Sequence, residues 1–396
     1  MRPVINDHSK CTGCAACRDI CPKNCISMHA DALDAMYPMI DESVCVGCGL
    51  CEKICPAKAE LTFKAPDRVL VGWSNDRHVR LRSASGGVAY ELYRTWIRNS
   101  GVAVGVTFDM EAGCRYVLIE SEEDIKATQN SKYTFSDTAG IYKTVREKLR
   151  ADVPVLFIGL PCQVAGLHAF LDKEYDNLTM VDIICHGVPP QEYLRQHISD
   201  IETRKHRKAE YVSFRDPEFS THTYMFTLRD SACQDFYRKP VLAWDNYQLG
   251  YHKALIYREN CYSCRYARKE RVGDLTIGDF SGLGRCAPFT YEKLSTSCIL
   301  QNTEKGARLL AEASTLIAML ERPAAEAFEY EKQLKAPSVR HPKRKVFECE
   351  YVRTRSYGKA AAASLRGEKV KVIRDFAKRN IKMLAYKMLV ALKIKR

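Results

Sequence analysis

Two short cysteine runs near the N-terminus constrain this chain more than any other feature. The first run is Cys11-x2-Cys14-x2-Cys17-x3-Cys21-Pro22. The second run is Cys45-x2-Cys48-x2-Cys51-x3-Cys55-Pro56. Each cysteine of the first run recurs 34 residues later in the second. Eight thiols at this repeated spacing predict two metal centres that each take four sulfur ligands.

The runs resemble those of bacterial two-cluster ferredoxins, in which the fourth cysteine of each run binds the cluster of the other run. This pattern implies the following ligand sets: Cys11, Cys14, Cys17 and Cys55 for one [4Fe–4S] cluster, and Cys45, Cys48, Cys51 and Cys21 for the other. The crossed pairing makes the two halves fold around each other and brings the clusters within reach of electron transfer. Zinc knuckles are the alternative, but they have no use for a third closely spaced thiol followed by Cys-Pro.

Length and cysteine usage limit the class of protein. A chain of 396 residues is too long for one core, so two or three domains are expected. It has 18 cysteines, but the N-terminal residues 1–7 form no apolar signal segment. Thiolates reserved for metal therefore predict a reducing, cytoplasmic setting. No run of 18 apolar residues occurs, which predicts no transmembrane helix.

Positive charge is concentrated at one end of the chain. The net charge is +13, but residues 336–396 alone hold 18 Lys and Arg against 4 Asp and Glu. The remaining 335 residues are close to neutral. A neutral body argues against a nucleic-acid partner and marks the tail as a separate feature.

The expected fold class is α+β with an α/β core. Residues 1–63 are predicted to form a ferredoxin-like domain, and the linker follows near Ala65. Buried strands ending near Leu160 and Cys185 are each followed by a helix, which is typical of an α/β core. Ligands of such cores lie at the turns that follow the strands. Residues 209–300 are predicted to be more β-rich, and helices from Lys305 to Leu320 are expected to close the region.

A second group of cysteines occurs in this α/β region. Cys162 and Cys185 lie at the two turn tips, and Cys261 and Cys264 form a separate C-x2-C pair. Four such thiols are compatible with a third cubane cluster. A C-x2-C pair alone is also compatible with zinc or a redox pair, and a single cysteine is often a buried apolar residue.

Several motifs in this region occur in a characteristic order. They are Arg82-Ser83-Ala84-Ser85-Gly86-Gly87, Asn130-Ser131-Lys132-Tyr133, Gly159-Leu160-Pro161-Cys162-Gln163, Cys185-His186-Gly187 and Gly273 to Asp279. Together they resemble the coenzyme F420 hydrogenase/dehydrogenase beta-subunit family over roughly residues 70–320. The resemblance implies a flavin-binding part at 70–150 and a part at 151–330 in which Cys162, Cys185, Cys261 and Cys264 hold a third [4Fe–4S] cluster.

The resemblance also implies a binding site for FAD or FMN. Its lining residues would be Ser83, Ser85, Gly86, Gly87, Ser131, Lys132 and Tyr133. The Gly86-Gly87 pair lets backbone N–H groups approach a pyrophosphate at the start of the helix from Val88. Lys132 would add a positive charge to the phosphate or to the flavin ring. A simple helix N-cap with a solvated lysine is the alternative.

Other candidate residues have weaker support. His186 is a possible proton relay to the flavin, and a hydrogen-bonded turn histidine is the alternative. The remaining cysteines are expected to be core or incidental thiols: Cys25, Cys114, Cys233, Cys286, Cys298 and Cys349.

The basic tail over 336–396 is predicted to end in an amphipathic helix from Arg374 to Arg396. An apolar stripe runs from Ile373 to Leu392, with basic residues beside it. Such a helix fits the surface of an anionic membrane, an acidic partner, or packing against the body. Peripheral contact with the inner face of a membrane is therefore one expectation.

These features together predict an iron–sulfur flavoprotein oxidoreductase. It would exchange a hydride with coenzyme F420 or a similar substrate and pass single electrons through its clusters to or from an electron-transfer protein. Two alternatives are a ferredoxin-dependent reductase of a different biosynthetic substrate and a non-catalytic, tethered electron-transfer module.

Overall fold

The structure is a computed structural model that describes residues 1–138, 140–218, 224–240, 245–290, 294–368, 370–371 and 374. Its N-terminal domain is a small three-stranded sheet with two short helices. In chain order these are β1 (Arg2–Pro3), α1 (Ala16–Ile20), β2 (Ile26–Ala30), β3 (Met36–Ile40) and α2 (Leu50–Lys53). The strands pair antiparallel in the order β1-β3-β2. Because the sheet is so small, cysteine side chains form a large part of this domain's interior.

The large domain begins at β4 and alternates strands with helices. Its first half consists of β4 (Arg68–Ser74), α3 (Arg77–Arg82), α4 (Val88–Arg98), β5 (Val102–Asp109), β6 (Gly113–Ile119), α5 (Glu122–Thr128), α6 (Ile141–Arg150), β7 (Val155–Gly159), α7 (Pro161–Leu171), β8 (Leu178–Ile183) and α8 (Gln191–Lys205). Its second half consists of β9 (Tyr211–Ser213), β10 (Met225–Arg229), β11 (Asp235–Pro240), α9 (Asn246–His252), β12 (Leu275–Asp279), β13 (Ser297–Gln301), α10 (Glu304–Glu312), β14 (Ile317–Glu321), α11 (Ala324–Phe328) and α12 (Arg344–Thr354).

One mixed sheet unites both halves of the large domain. The order of its strands is β14-β4-β13-β12-β8-β7-β5-β6. The four central strands, β12, β8, β7 and β5, are mutually parallel, and the outer strands pair antiparallel. β7 is buried along its full length, as expected for a parallel strand covered on both faces. The fold class α+β with an α/β core therefore fits this structure.

Helices cover both faces of this sheet. α4, α5 and α10 bury Leu92, Ile125 and Leu309 against one face. α6 and α7 bury Tyr142 and Phe170 against the other face. An aromatic core under α8, α9 and α12 joins the sheet to the smaller sheet β9–β11.

The helices predicted from Lys305 to Leu320 extend only to Thr315, since α10 ends at Glu312 and a 3-10 turn follows over Ala313–Thr315. Residues Ile317–Glu321 instead form β14, which pairs antiparallel with β4 at the edge of the large sheet. Local helical periodicity is overridden here because β4 has backbone groups that another strand can satisfy.

The first part of the predicted basic tail packs into the core. Residues 344–354 form α12 and residues 357–368 form a further helix, and their buried side chains are in the aromatic core. Arg355 reaches the N-terminal domain, where it donates to Ala32 O at 2.7 Å and pairs with Asp34 at 2.7 Å. The predicted amphipathic helix lies outside the described residues except for Arg374. In the part of the chain that is described, no helix is both long and apolar enough to cross a membrane.

A buried ion pair holds the end of β8 against the turn that precedes β12. Asp182 and Arg271 are 2.6 Å apart and almost completely buried. Asp182 also accepts from the backbone N–H groups of Val272 and Gly273 at 3.2 and 2.9 Å. This pair therefore positions both the turn that contains Cys185 and the segment that follows Cys264.

We predict that Asp182→Ala strongly destabilises the protein. The substitution leaves the Arg271 charge buried without its partner, and breaking a buried pair in this way costs about 3–5 kcal/mol. The free energy of unfolding in denaturant measures the effect. The exposed pair Lys126–Glu123 provides the control, since Lys126→Ala should leave stability unchanged. Equal stability of the two variants would contradict this role.

Candidate functional site

The N-terminal domain gathers its cysteines around two neighbouring cavities. Cys11, Cys14, Cys17 and Cys55 line one cavity, here called the first thiol group. Cys21, Cys45, Cys48 and Cys51 line the next, here called the second thiol group. The loops turn this tightly because Gly13 and Gly47 have positive φ angles of 70° and 69°. The same crossed sets that the spacing predicted are thus brought together.

A fifth cysteine lies beside the second thiol group. Cys25 is buried and lines the same cavity, with its Sγ 3.4 Å from the Sγ of Cys21. The sequence predicted Cys25 to be a core or incidental thiol, and it is buried in the core of this domain. Its position four residues after Cys21, at the entry to β2, is the local signal that could have indicated this proximity.

The large domain forms a third thiol group from three separate segments. Cys162 is the second residue of α7, Cys185 follows β8, and Cys261 and Cys264 lie at and just after a 3-10 turn over Glu259–Ser263. Cys162 has electrostatic contact with the other three thiols, and burial raises its pKa. All four candidates from the sequence therefore converge in space.

Several of these thiols are buried and none forms a disulfide, which fits metal ligation. Burial raises the pKa of Cys14 and of Cys261 to about 12, and the cysteines form no disulfides. A cationic metal centre would offset this cost of ionisation. Among the described residues, no three His, Cys, Asp or Glu side chains lie close enough to hold a single metal ion.

The three thiol groups are arranged in series. Cys17 is an electrostatic neighbour of Cys51, which links the first group to the second. Cys14 is an electrostatic neighbour of Cys162, which links the first group to the third. The last contact depends on Gly166 of α7, where a Cβ would lie 2.9 Å from the Cβ and 3.1 Å from the Sγ of Cys14.

A cavity of about 420 Å³ lies at the carboxyl ends of the parallel strands. Its wall includes Gly159 at the end of β7, the segment 183–188 that begins with the last residue of β8, and Asp279 at the end of β12. Open α/β sheets bind ligands at this edge, and the volume is in the range of cofactor and small-molecule sites. Because Cys185 belongs to the wall, the third thiol group directly adjoins the cavity.

The N-terminus of α4 opens into this cavity. Gly87 precedes the helix with a left-handed φ of 89°, and no side chain caps the first N–H groups. Uncapped N–H groups at a helix start favour anionic groups such as a pyrophosphate. Six of the seven residues predicted to contact flavin line the cavity: Ser83, Ser85, Gly87, Ser131, Lys132 and Tyr133.

Gly86 has a packing role in this structure and does not line the cavity. A Cβ there would lie 2.3 Å from Gly72 O and 2.8 Å from the backbone nitrogen of Ser297. The missing side chain lets the loop lie directly on β4 and β13. Gly86 N donates to Ser297 Oγ at 2.9 Å, which fixes that contact.

Lys132 contributes charge to the cavity wall, but its ammonium is held by backbone. The Nζ atom donates to the carbonyls of Thr128, Gln129 and Asn130 at 2.6, 2.9 and 3.2 Å, just after α5. Burial lowers the pKa of Lys132 to about 8. The side chain is therefore neither the solvated lysine of the alternative interpretation nor free to swing onto a phosphate.

Polar residues that the sequence did not single out occupy another part of the wall. Arg215 is buried, pairs with Asp279 at 2.8 Å and lies over the ring of Tyr224 at 4.4 Å. His252 Nε2 is buried without a hydrogen-bond partner in the described structure, and burial lowers the pKa of His252 to about 4. No local pattern identifies these residues, because β9, β10 and α9 bring them here from different segments.

His186 lines the cavity beside Cys185. Its side chain reaches solvent, yet surrounding protein lowers its pKa by desolvation, while Glu331 and Asp279 oppose that shift. Its carbonyl accepts from Ser338 Oγ at 2.6 Å, which holds the turn. His186 thus has the position required of a proton relay, and that role stays a prediction.

The thiol groups and the adjoining cavity define an iron–sulfur protein of the oxidoreductase type. Residues 153–326 match the family described as the C terminus of the coenzyme F420 hydrogenase/dehydrogenase beta subunit, and residues 10–59 match the 4Fe-4S dicluster domain. The family recognised from the motifs is thereby confirmed. The chain thus joins a segment that matches a 4Fe-4S dicluster domain to a segment that matches the C terminus of that beta subunit.

One similar solved structure is a chain of the F420-reducing [NiFe] hydrogenase complex from Methanosarcina barkeri. It is 14% identical, the match covers 70% of this chain and 90% of that chain, and the TM-score is 0.42. At this TM-score the likeness carries no argument about fold or ligands. No curated protein sequence matches the chain significantly.

We predict that Cys48→Ser removes one cluster and that Cys25→Ser removes none. Cys48 belongs to the repeated spacing, whereas Cys25 is a neighbour outside it, so only the first substitution should lower iron content, by about four irons per chain. Iron analysis of anaerobically purified full-length protein is the measurement. Loss of iron in Cys25→Ser with retention in Cys48→Ser would contradict the assigned ligand set.

Proposed function

We propose that this protein is an iron–sulfur flavoprotein that exchanges a hydride with coenzyme F420 or a similar deazaflavin and moves single electrons through three [4Fe–4S] clusters. One observation carries the proposal. The turn after β8 contributes Cys185 to the third thiol group and also forms the wall of the cavity. A cofactor bound in the cavity would therefore adjoin a cluster, and electron transfer requires such proximity.

The ligands proposed for the third cluster are Cys162, Cys185, Cys261 and Cys264. Flavin is proposed to lie in the cavity with its phosphates at the start of α4, where Gly87 and the uncapped N–H groups fit an anion. The flavin would supply the conversion between a two-electron hydride and single electrons. The deazaflavin substrate is proposed from the family match alone.

The chain's own residues would orient the substrate and handle its proton. His252 is neutral near pH 7 because its pKa is about 4, and its Nε2 has no partner in the described structure. It is therefore available to accept a hydrogen bond from a ligand in the cavity. The buried Arg215 pairs with the partly exposed Asp279, which also accepts from the Tyr224 hydroxyl and would hold this part of the wall in place.

An electron-transfer protein is proposed to dock at the second thiol group. Cys48 is exposed there. Val44, Val46 and Leu50 are 46%, 61% and 37% exposed around it. Exposed apolar side chains beside an exposed cluster ligand are typical of a transient docking surface. This group lies at the end of the series away from the cavity.

The first test is the iron and flavin content of the anaerobically purified chain. We expect about twelve irons, from three clusters of four, and one bound flavin. Cys185→Ala should lose about four of these irons, and the buried thiol of Cys298 in β13 provides the control, since Cys298→Ala should lose none. About eight irons without flavin would overturn the proposal and favour a tethered electron-transfer module.

Substrate tests follow if flavin and iron are present. Reduced F420 should reduce the clusters at a rate well above that obtained with NADH or NADPH. Reduced F420 could fail to reduce the clusters while reduced ferredoxin drives turnover of another substrate. That result would show that the substrate is a different biosynthetic compound and not a deazaflavin. The iron–sulfur and flavin parts of the proposal would then stand.

We predict that FAD binds more weakly as the pH rises from 7 to 9. An anionic ligand prefers the charged form of Lys132, whose pKa is about 8, so affinity should fall as that charge is lost. The expected loss is about tenfold, or roughly 1.4 kcal/mol. Fluorescence titration of flavin binding is the measurement.

Two comparisons control this pH dependence. Lys132→Met should bind FAD weakly at both pH values, and riboflavin, which has no phosphates, should show little dependence in the wild-type protein. A parallel loss of FAD affinity in wild type and Lys132→Met would show that another group titrates.

A further inference from the structure

Arg258 is a buried cation that links the two domains. It precedes the 3-10 turn that contains Cys261 and is only 1% exposed. Its guanidinium reaches into the dicluster domain, where Nη2 donates to Met36 O at 3.0 Å. The side chain thus extends from the loop of the third thiol group to the neighbourhood of the first thiol group.

The contacts of this guanidinium are incomplete. Its Nε and Nη1 atoms are buried without hydrogen-bond partners, and no carboxylate pairs with it among the described residues. The rings of Tyr37 and Phe135 lie 4.8 and 4.7 Å from its Cζ. Such cation–π contacts contribute about 2 kcal/mol at most and leave N–H donors unsatisfied. A buried charge of this kind needs an anion.

Both neighbouring thiol groups are within the electrostatic reach of Arg258. Its backbone carbonyl accepts from Cys261 N at 3.1 Å, and its guanidinium contacts the first cysteine loop at Gly13. In the first cysteine loop, Gly13 makes room for the guanidinium, since a Cβ there would lie 2.8 Å from Nη2 and 3.2 Å from Cζ. Arg258 therefore occupies a space between the first and third thiol groups that the loop leaves open.

We propose that Arg258 is the shared counter-charge of the first and third clusters and raises the reduction potential of both. The inference rests on the third cluster of the proposed function. A cubane bound by four thiolates is an anion, and it gains one further negative charge when it accepts an electron. A fixed cation in a dry interior stabilises the reduced form more than the oxidised form, so each of the two clusters becomes easier to reduce.

A purely mechanical role is the competing explanation. Arg258 packs between aromatic rings and joins two domains, so its loss would loosen the interface whatever its charge. Arg265 provides a matched comparison, because it also reaches from the large domain to a carbonyl of the dicluster domain, Pro56 O at 2.8 Å. Arg265 is exposed, however, and solvent screens its charge.

The test is a redox titration of the full-length, cluster-loaded protein followed by electron paramagnetic resonance. Arg258→Gln should lower the midpoint potentials of the first and third clusters, with at least a tenfold change in the reduction equilibrium, or about 59 mV for one electron. Arg258→Lys should retain most of the wild-type potential, and Arg265→Gln should shift nothing. The second cluster, identified as the signal lost in Cys48→Ser, is the internal reference.

Each outcome decides between the two roles. Unchanged potentials in Arg258→Gln at full iron content, or an equal shift of all three clusters, would overturn the proposal. Arg258→Gln could lose iron. In that case, wild-type iron content and potentials in Arg258→Lys would support the electrostatic role. Loss of iron in both variants would assign Arg258 a packing role. Wild-type protein with iron for only two clusters would refute both the proposed function and the shared role. Full iron content with unchanged midpoint potentials in Arg258→Gln would refute only the shared role of Arg258.

Discussion

The contact between α7 and the first cysteine loop governs the arrangement of the redox groups. Cys14 lies against Gly166, and Cys162 begins the same helix, so one helix connects the dicluster domain to the third thiol group. Any side chain at Gly166 would separate them. The close approach of the two domains therefore depends on the missing Cβ of a single residue at the point where they meet.

The large sheet determines where the third thiol group lies. Its parallel strands β7 and β8 finish side by side, and their following turns contribute Cys162 and Cys185. The turn after β8 is part of the cavity wall and of the thiol group at once. The buried ion pair between Asp182 and Arg271 stabilises this edge of the sheet.

Two cations lie close to the cavity or to the thiol groups. Lys132 is held by three carbonyls at the end of α5, and Arg258 lies between two thiol groups. Both cations lie where anionic groups, a phosphate or a cluster, would compensate the cost of their burial. The interface between the domains also includes α12, the helix over 357–368 and the contacts of Arg355 with residues 32–34.

The local features could be predicted from the amino-acid sequence alone: the two repeated cysteine runs, the helix at Val88, the buried strands ending at Gly159 and Ile183, and the identity of the four later cysteines. They could be predicted because spacing and periodicity are properties of neighbouring residues. The folded structure was needed to show that residues 317–321 pair as a strand, that Cys25 lies beside Cys21, and that Arg258 and His252 reach the site. These outcomes depend on contacts between residues far apart in the chain, where an unpaired strand edge or a buried charge finds its partner only after folding.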